Sequence, residues 1–584
     1  MAEKDDLGLD RRKFLTYFGS IGLGGTLLPG VLWAQAQQQA QATGAIQILP
    51  EMVGLAARVA DVPLSPDAQK RIADNLNRRG GLLASYEQLR AMKLGNDTPP
   101  AFVFNPLLPG MKVPAGRKVF KYSQPRVAKP KTDEDLAFLP VTHLAQLIKS
   151  RTVKSMDLTK LYLERLKKFD PALHFAVSIT EDLALKQAAK ADAEIAAGKY
   201  RGPLHGIPWG AKDLLAVKGT RTTFGASPYK DQTIDVDSTV FTRLSEAGAV
   251  LAAKLTMGAL AMGDRWFGGQ TKSPWDPANP NSGSSGSSAG PASATAAGCV
   301  GFGIGTETRG SIMSPAGRCG NTGLRPTFGR VSRYGAMALS WTMDKIGPLC
   351  RSAEDCALIL KVLCGPDGKD GHVIDAPFDW DAGRDVRALR VGYVKGDYEG
   401  DIPDDPKNPD RAERMRLMRK LNVAALEVIK GLGAKLIPIE LPKLDSGPMD
   451  FLLTVEGAAA FDDLVRSDKF DQMSAEPERS AWVNSLRTHE LVPAVQYIQA
   501  NRARYRLMEQ FNAVFAGIDL FIGSMLGVTN LTGHPELSLP HGFDAKGQPT
   551  SLRFTGKLFG EEEMLLLARA YQEKTTFHLK HPAL

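Results

Sequence analysis

The chain has 584 residues, 43% of them apolar, and its 72 basic and 64 acidic side chains give a formal net charge of +8. That length is enough to bury a large core, and the apolar content is that of a folded protein. Nucleic-acid-binding proteins cluster their basic residues, whereas here both signs are mixed along the chain, so the charge argues against a nucleic-acid partner. Five cysteines without a CxxC pair argue against a disulfide scaffold and against a zinc site.

The N-terminus is typical of an export signal. Arg11 and Arg12 precede a glycine-rich, moderately apolar run, and Ala34-Gln35-Ala36 fits the small-x-small rule for signal peptidase. Twin arginines indicate a bacterial Tat signal over residues 1–36, although Asp10 stands where Ser or Thr is usual. The run is too short and too rich in glycine for a stable membrane span, so we expect a periplasmic or secreted protein. An uncleaved N-terminal anchor is the alternative.

The segment after the signal differs in composition from the rest of the chain. A Gln/Ala-rich spacer leads into a helix-prone stretch that ends near Met92, and residues 99–131 are dense in proline and lysine. Such a composition is typical of an extended arm or linker. We therefore predict an N-terminal extension over residues 37–135 and one large domain over residues 136–584.

From residue 136 onward, short apolar runs alternate with helical patterns. Thr142 and Ser155 stand where they can cap two amphipathic helices. Four apolar runs bounded by turn residues are expected strands, at 249–253, 389–394, 435–441 and 520–522. This alternation predicts an α/β fold with a largely buried sheet.

Three stretches contain glycine and small residues where a core would contain Leu and Val. In the first, the apolar run Gly206-Ile-Pro-Trp-Gly-Ala leads directly into Lys212. An ammonium group delivered to the interior loses its proton more readily, so Lys212 could serve as a general base near neutral pH. The alternative is a surface lysine paired with a carboxylate such as Asp213.

The second stretch contains a glycine-flanked serine, Ser311. Gly305 and Gly310 allow a tight turn that a side chain would block. The backbone N–H groups of Thr308, Arg309 and Gly310 can then converge on an oxyanion. A serine on such a turn is placed to attack a carbonyl, and the alternative is that Ser311 only caps a helix.

The third stretch, residues 281–298, is a serine-rich run. Gly286-Ser287-Ser288-Ala289-Gly290 matches the GxSxG nucleophile elbow, with Ser288 as the nucleophile. An elbow follows a buried strand, whereas residues 274–286 have the composition of a loop, and the histidine of its triad would have to be His534 or His541. A GxSxG esterase is therefore an alternative rather than the main hypothesis.

Together these blocks resemble the amidase signature family, whose members hydrolyse or transfer amides with a Ser-cisSer-Lys triad. The resemblance covers residues 136–584 and implies a large twisted mixed β-sheet covered by helices on both faces. The matching blocks are Gly202-Pro-Leu-His-Gly-Ile-Pro208, Lys212-Asp213, Gly305-Thr-Glu-Thr, Gly310-Ser311-Ile312, Gly323-Leu-Arg-Pro-Thr327 and Asn530-Leu-Thr-Gly-His-Pro535.

The resemblance also implies a role for each candidate residue. Ser311 corresponds to the nucleophile, Lys212 to the base, and a serine in a cis peptide bond to the proton relay between them. Counting back from Ser311 by the family's spacing of 24 residues reaches Ser287, which we favour. Counting forward from the Pro-Trp-Asp-Pro block reaches Ser284 or its neighbour Ser285 instead and requires an insertion.

The implied activity is hydrolysis of a small-molecule amide to a carboxylate and ammonia or an amine, through an acyl-enzyme on Ser311 and without a metal or organic cofactor. The chain departs from the family at Arg309, where glycine is usual, so a cation would stand at the oxyanion turn. Met313 and Ser314 replace an arginine that suits a substrate carboxylate in some relatives, which favours a neutral acyl group.

An amidotransferase A-like subunit is the main alternative to a hydrolase. It would need partner chains and tRNA in the cytoplasm, and the export signal argues against it. The presence of all three triad residues disfavours a noncatalytic binding protein on the same fold. Association as a homodimer stays open.

Overall fold

The structure is a computed structural model that describes residues 47–78, 82, 85, 88, 91–404, 407–473 and 477–584. The described residues divide into two compact units, one that ends at residue 94 and one that begins at residue 95. The Tat-type signal predicted at residues 1–36 lies outside the described residues.

The described α-helices are named in chain order. They are α1 Pro50–Val59, α2 Pro66–Leu76, α3 Asp133–Ala137, α4 Val141–Lys149, α5 Ser155–Leu173, α6 Glu181–Ala196, α7 Thr239–Glu246, α8 Ala289–Ala296, α9 Met313–Cys319, α10 Ala353–Leu363, α11 Lys395–Tyr398, α12 Pro409–Gly431, α13 Phe451–Ala460, α14 Asp462–Val465, α15 Pro477–His489, α16 Ala494–Ala513, α17 Leu526–Thr532 and α18 Glu561–Thr575.

The described strands are named in the same way. They are β1 Phe120–Lys121, β2 Ala176–Ile179, β3 Pro208–Lys212, β4 Val250–Leu255, β5 Arg265–Trp266, β6 Gly269–Gln270, β7 Phe302–Glu307, β8 Thr322–Arg325, β9 Lys345–Cys350, β10 Trp380–Asp381, β11 Arg390–Val394, β12 Lys435–Ile439, β13 Leu520–Ile522, β14 Glu536–Phe543 and β15 Pro549–Gly556.

Within the first unit, α1 and α2 pack as a pair. The Ser65 hydroxyl accepts a hydrogen bond from the Ala68 N–H and so caps α2. Ile48 and Asn77 exchange two hydrogen bonds, between the Ile48 backbone and the Asn77 side-chain amide, of 2.8 and 2.7 Å. These bonds join the two ends of the helix pair.

An eleven-stranded sheet forms the centre of the second unit. Its strand order is β12-β11-β13-β15-β14-β8-β9-β7-β3-β4-β2. The pairs β7·β3 and β3·β4 are parallel, and the strands from β13 to β7 pair antiparallel, so the sheet is mixed. The predicted α/β fold with a mixed sheet is confirmed.

Helices cover both faces of this sheet. Successive side chains of a strand point to opposite sides, and the buried strands are apolar on both sides, so both faces need a covering layer. On β4, Leu251 packs in the cluster that holds residues of α4, α7 and α10. Its neighbours Val250 and Ala252 pack in the cluster that holds residues of α5, α6 and α8. The three-layer arrangement follows from this alternation.

The four strands expected from apolar runs correspond to β4, β11, β12 and β13, with ends shifted by two residues at most. The two expected helix caps are wrong. Helix α4 begins at Val141, so Thr142 lies inside it, and α5 begins at Ser155 itself. Carboxylates from elsewhere bind these first-turn N–H groups, since Asp355 accepts from Thr142 and Asp192 accepts from Ser155.

Residues 99–131, predicted to be an extended arm, contain no helix and only the two-residue strand β1. The arm packs along the second unit: Phe104 lies edge-on to Phe328 with ring centroids 5.0 Å apart, and Arg117 forms an ion pair with Glu562. Among the described helices, none combines the length and the apolar character that crossing a bilayer requires.

Candidate active site

Sheet topology brings the ends of two parallel strands together. Strands β3 and β7 are neighbours, with Trp209 opposite Phe302 and Ala211 opposite Ile304. The carboxyl ends of parallel strands share one edge of a sheet, which is where open α/β sheets bind ligands. Lys212 ends β3 at this edge, and the turn 308–311 follows β7 there. Helix α8, which continues the serine-rich run, packs across both strands.

Lys212 is fully buried among hydroxyl groups. Its Nζ lies 2.9 Å from Ser287 Oγ, 3.1 Å from Ser288 Oγ and 2.8 Å from Thr306 Oγ1. Burial lowers the pKa of Lys212 to about 7, although two nearby carboxylates act in the opposite direction. The neutral amine is therefore well populated at neutral pH, and the surface-lysine alternative is wrong.

Asp213 does not pair with Lys212. Its Oδ1 lies 2.8 Å from Nζ of Lys254 on the neighbouring strand, and both side chains are fully buried. Its Oδ2 accepts hydrogen bonds from the N–H and hydroxyl of Thr223. The carboxylate next to Lys212 in sequence thus pairs with a different lysine.

The serines considered for the relay have different surroundings. The peptide bond between Gly286 and Ser287 is cis, and Ser287 is the one beside Lys212. Ser284 Oγ donates instead to the backbone oxygen of Ser285, 2.9 Å away.

The Ser288 hydroxyl forms hydrogen bonds with both backbone groups of Thr306. It donates to the Thr306 backbone oxygen at 3.0 Å and accepts from the Thr306 N–H at 3.1 Å. A Cβ atom at Gly305 would lie 2.6 Å from Ser288 Oγ, so this close approach requires glycine. Gly305 lies in strand β7, whereas the sequence pattern predicts it in the tight turn before Ser311.

The histidines of the elbow hypothesis are bound elsewhere. His534 Nδ1 lies 2.8 Å from Thr532 Oγ1, and its ring stacks on Phe515. The two ring nitrogens of His541 contact Asn422 and Thr550. The structure thus brings neither histidine to Ser288.

The turn 308–311 holds Ser311 beside the serine run. Gly310 has a φ of +89°, which favours glycine, and the Ser288 N–H donates to the Ser311 backbone oxygen at 3.1 Å. Among the described residues, no acceptor takes a hydrogen bond from the backbone N–H groups of Arg309, Gly310 or Ser311. These donors are available to an oxyanion.

Glu307 anchors the far side of this turn, a role that the sequence motif did not suggest. Its Oε2 accepts from the N–H groups of Ile312 and Met313 at 2.8 and 2.9 Å, and its Oε1 contacts Arg325 and Asn530. Burial by itself would raise the pKa of Glu307, but the Arg325 guanidinium and these hydrogen bonds lower it to about 2. The ionised carboxylate fixes the two residues that follow Ser311.

Two further carboxylates contact the turn. Thr308 Oγ1 donates to Asp344 Oδ1 at 2.6 Å, and Asp344 Oδ2 accepts from two backbone N–H groups at residues 339 and 340. The side chain of Arg309, expected as a cation at the oxyanion turn, extends to Asp450 at 2.8 Å. Both carboxylates come from distant segments that no local motif marks. Across the described part of the chain, no three His, Cys, Asp or Glu side chains form a metal-binding group.

Comparison with known proteins places this site in a family. The family model described as Amidase matches residues 157–526. The A subunit of glutamyl-tRNA(Gln) amidotransferase from Marinomonas sp. (strain MWYL1) is 32% identical over 494 residues, which cover 76% of this chain and 98% of that protein.

Two solved structures share the fold. Native peptide amidase from Stenotrophomonas maltophilia is 28% identical with a TM-score of 0.63, covering 75% of this chain and 97% of that one. An amidase family protein from Bacillus anthracis str. Ames has a TM-score of 0.66 at 24% identity and covers 77% of this chain and 94% of that one. The chain therefore belongs to the amidase family, whose enzymes act on carbon–nitrogen bonds.

Proposed function

We propose that the protein is an amidase that hydrolyses a small-molecule carboxylic amide, with Ser311 as nucleophile, Ser287 as proton relay and Lys212 as base. One observation carries the proposal. The buried Lys212 amine, with a pKa of about 7, lies 2.9 Å from Ser287 Oγ, and its hydrogen-bond partners are hydroxyl and carbonyl oxygens rather than carboxylates.

The mechanism follows from this arrangement. Neutral Lys212 takes the proton of Ser287, which takes that of Ser311, while Ser311 Oγ forms a bond to the amide carbonyl carbon. The relay returns the proton to the leaving nitrogen as the C–N bond breaks, which gives an acyl-enzyme and ammonia or an amine. Water then attacks the ester through the same relay and releases the carboxylate.

The turn stabilises the charge that develops on the carbonyl oxygen. The unbonded N–H groups of Arg309 and Gly310 support their role as oxyanion donors, and Thr308 is the third predicted donor. Each such donor typically lowers the barrier by about 3 kcal/mol. Glu307 and Asp344 hold the turn rigid, so little reorganisation is needed during the reaction.

A library of simple amides tests the proposal with two matched variants. Wild type releases ammonia or amine, and Ser311→Ala loses the activity, whereas Ser288→Ala retains a larger share because Ser288 contacts the base without relaying the proton. A fluorophosphonate labels Ser311. Hydrolysis that persists in Ser311→Ala contradicts the mechanism, and labelling of Ser288 favours the esterase alternative.

A second candidate, an amidotransferase A-like subunit, is supported by the 32% identity to the A subunit of a glutamyl-tRNA(Gln) amidotransferase over 98% of that protein. The two candidates differ in what the isolated chain does. An amidase hydrolyses simple amides alone, whereas a transferase subunit is expected to need partner chains to use the released nitrogen. Ammonia release from simple amides by the purified chain therefore favours the hydrolase.

We also propose export through the Tat pathway to the periplasm or medium, on the basis of Arg11, Arg12 and the Ala34-Gln35-Ala36 site. Cell fractionation of wild type beside the Arg11→Lys/Arg12→Lys variant tests this. The variant is expected to stay in the cytoplasm with its first 36 residues attached. Equal export of both proteins argues against a Tat signal.

A further inference from the structure

Arg309 is the exposed member of the turn that carries the nucleophile. Thr308 and Ser311 are 5% and 8% exposed, and Gly310 is buried, whereas the Arg309 side chain is 40% exposed. The solvent-facing side of the turn is therefore a guanidinium group. This charge stands on the same turn as Ser311, two residues before it in sequence.

The Arg309 side chain connects the turn to two other segments. Its Nη1 lies 2.8 Å from Asp450 Oδ2, just before α13. Its Nη2 lies 3.5 Å from where a Cβ atom of Gly527 would stand, and Ser446 Oγ lies 2.5 Å from that same point. We name the three segments 308–311, 446–450 and 525–527 the rim.

The ion pair at this rim is exposed on both sides, because the Asp450 side chain is 38% exposed. A pair between solvent-exposed charges contributes little to stability, so removing it should leave the fold intact. The Asp450 side chain makes no capping bond to α13, so pairing with Arg309 is the contact it makes at this site. Each charge is thus neutralised mainly by the other.

We propose that Arg309 and Asp450 form a charge-reading pair that determines substrate specificity. While both are present, each neutralises the other and the site favours uncharged amides. Removing either partner leaves a single charge beside the nucleophile, which selects substrates of the opposite charge. This inference rests on the proposed function, since it assumes that Ser311 is the reacting group.

Three matched fluorophosphonates test the pair in the full-length protein. Their alkyl chains are equal in length and end in methyl, carboxylate or trimethylammonium. Ser311 Oγ displaces fluoride from phosphorus, and its proton passes to Ser287 and Lys212. The measured quantity is the ratio of labelling rates between probes, so a general change in reactivity cancels.

The two single variants are expected to prefer probes of opposite charge. Wild type labels best with the methyl probe or equally with all three. Asp450→Asn prefers the carboxylate probe over the methyl probe by about fivefold, the effect of one exposed charge pair, and Arg309→Gln prefers the trimethylammonium probe by a similar factor. The double variant loses both preferences. High salt reduces the preferences because exposed charges are screened.

Two controls separate local from general charge effects. Asp450→Glu keeps the carboxylate and should retain the wild-type ratios. Glu181→Gln removes one carboxylate from the exposed pair between Lys167 and Glu181 and should leave the ratios unchanged. If Ser311 is labelled but the ratios of labelling rates are unchanged in both single variants, the proposed role of the charge-reading pair is wrong. The amidase proposal is not affected by that result. Absence of labelling at Ser311 with every probe overturns the amidase proposal itself.

Discussion

Two buried lysines on neighbouring strands have opposite surroundings. Lys212 ends β3, and Lys254 lies on β4, where it stands opposite Ala211. Both side chains are fully buried, and burial lowers the pKa of both. They differ in their partners, and this difference separates a structural lysine from a candidate base.

Lys254 is held by a carboxylate. Its Nζ lies 2.8 Å from Asp213 and also donates to the Arg221 backbone oxygen and the Thr222 hydroxyl. Asp213 opposes the effect of burial and favours the ammonium form. A buried ion pair of this kind holds the end of β3 against β4.

Lys212 has hydroxyl groups where Lys254 has a carboxylate. The carboxylates that act on its charge, Asp344 and Glu307, are hydrogen-bonded to other groups. The amine therefore loses its proton near neutral pH and lies beside the hydroxyl of Ser287. Burial lowers the pKa of both lysines, and the candidate base is the one of the two that has no bonded carboxylate.

The largest expected effect is on activity, at Lys212. Lys212→Met removes the proposed base and should lower kcat/KM for amide hydrolysis by about a thousandfold. Stability should not fall, because the variant no longer buries an amine that lacks a carboxylate partner. Initial rates and urea unfolding of the same preparation measure both effects. A variant that keeps wild-type activity would show that Lys212 is not the base.

The second effect is on stability, at Lys254. Lys254→Met leaves Asp213 buried and unpaired, which should lower the free energy of unfolding by about 3–5 kcal/mol. The folded fraction should keep most of its activity, in contrast to Lys212→Met. Urea unfolding, with activity measured per folded molecule, separates the two lysines.

The control for Lys254→Met removes the partner as well. Asn at position 213 has no charge and still accepts hydrogen bonds from Thr223, so Asp213→Asn/Lys254→Met should be less destabilised than the sum of the two single variants. If the double variant loses the sum of the two single losses in free energy of unfolding, the two charges do not stabilise each other.

Features encoded by neighbouring residues could be predicted from the sequence. The apolar approach to Lys212 indicated a buried amine, and β3 ends at that residue. The apolar run 520–522 has the same first and last residues as β13, because a buried strand needs only a short apolar stretch between turns. The α/β class and the meeting of the three glycine-rich stretches follow from such local signals together with the family resemblance.

Features that depend on distant partners could not be predicted. Asp355 binds the N–H of Thr142 from 213 positions away, so local capping rules placed the start of α4 wrongly. In the same way, Asp213 pairs with Lys254 rather than with the lysine beside it. Asp344 and Asp450 reach the nucleophile turn from segments without a recognisable motif.

The smallest expected effect concerns the pH at which kcat/KM reaches half its plateau. In the proposed mechanism the neutral amine is the active form, so kcat/KM should rise with pH and reach half its plateau at about 7, the pKa of Lys212. Asp344 favours the ammonium form and raises this pKa, and its own partners, the Thr308 hydroxyl and two backbone N–H groups, are uncharged. Glu307 acts in the same direction, but Arg325 neutralises it.

Asp344→Asn should therefore move the half-point of the pH profile to lower pH. The amide oxygen can still accept from Thr308, but the amide nitrogen cannot accept from the N–H groups of residues 339 and 340, so the plateau should fall by about tenfold. Because removal of a negative charge lowers the pKa of a nearby amine, the sign of the shift is fixed. The control Glu181→Gln removes a carboxylate on the exposed face of α6 and should leave the half-point in place. A half-point that stays fixed or rises in Asp344→Asn would mean that the titrating group is not Lys212, and the contrast between the two lysines would then lose its functional meaning.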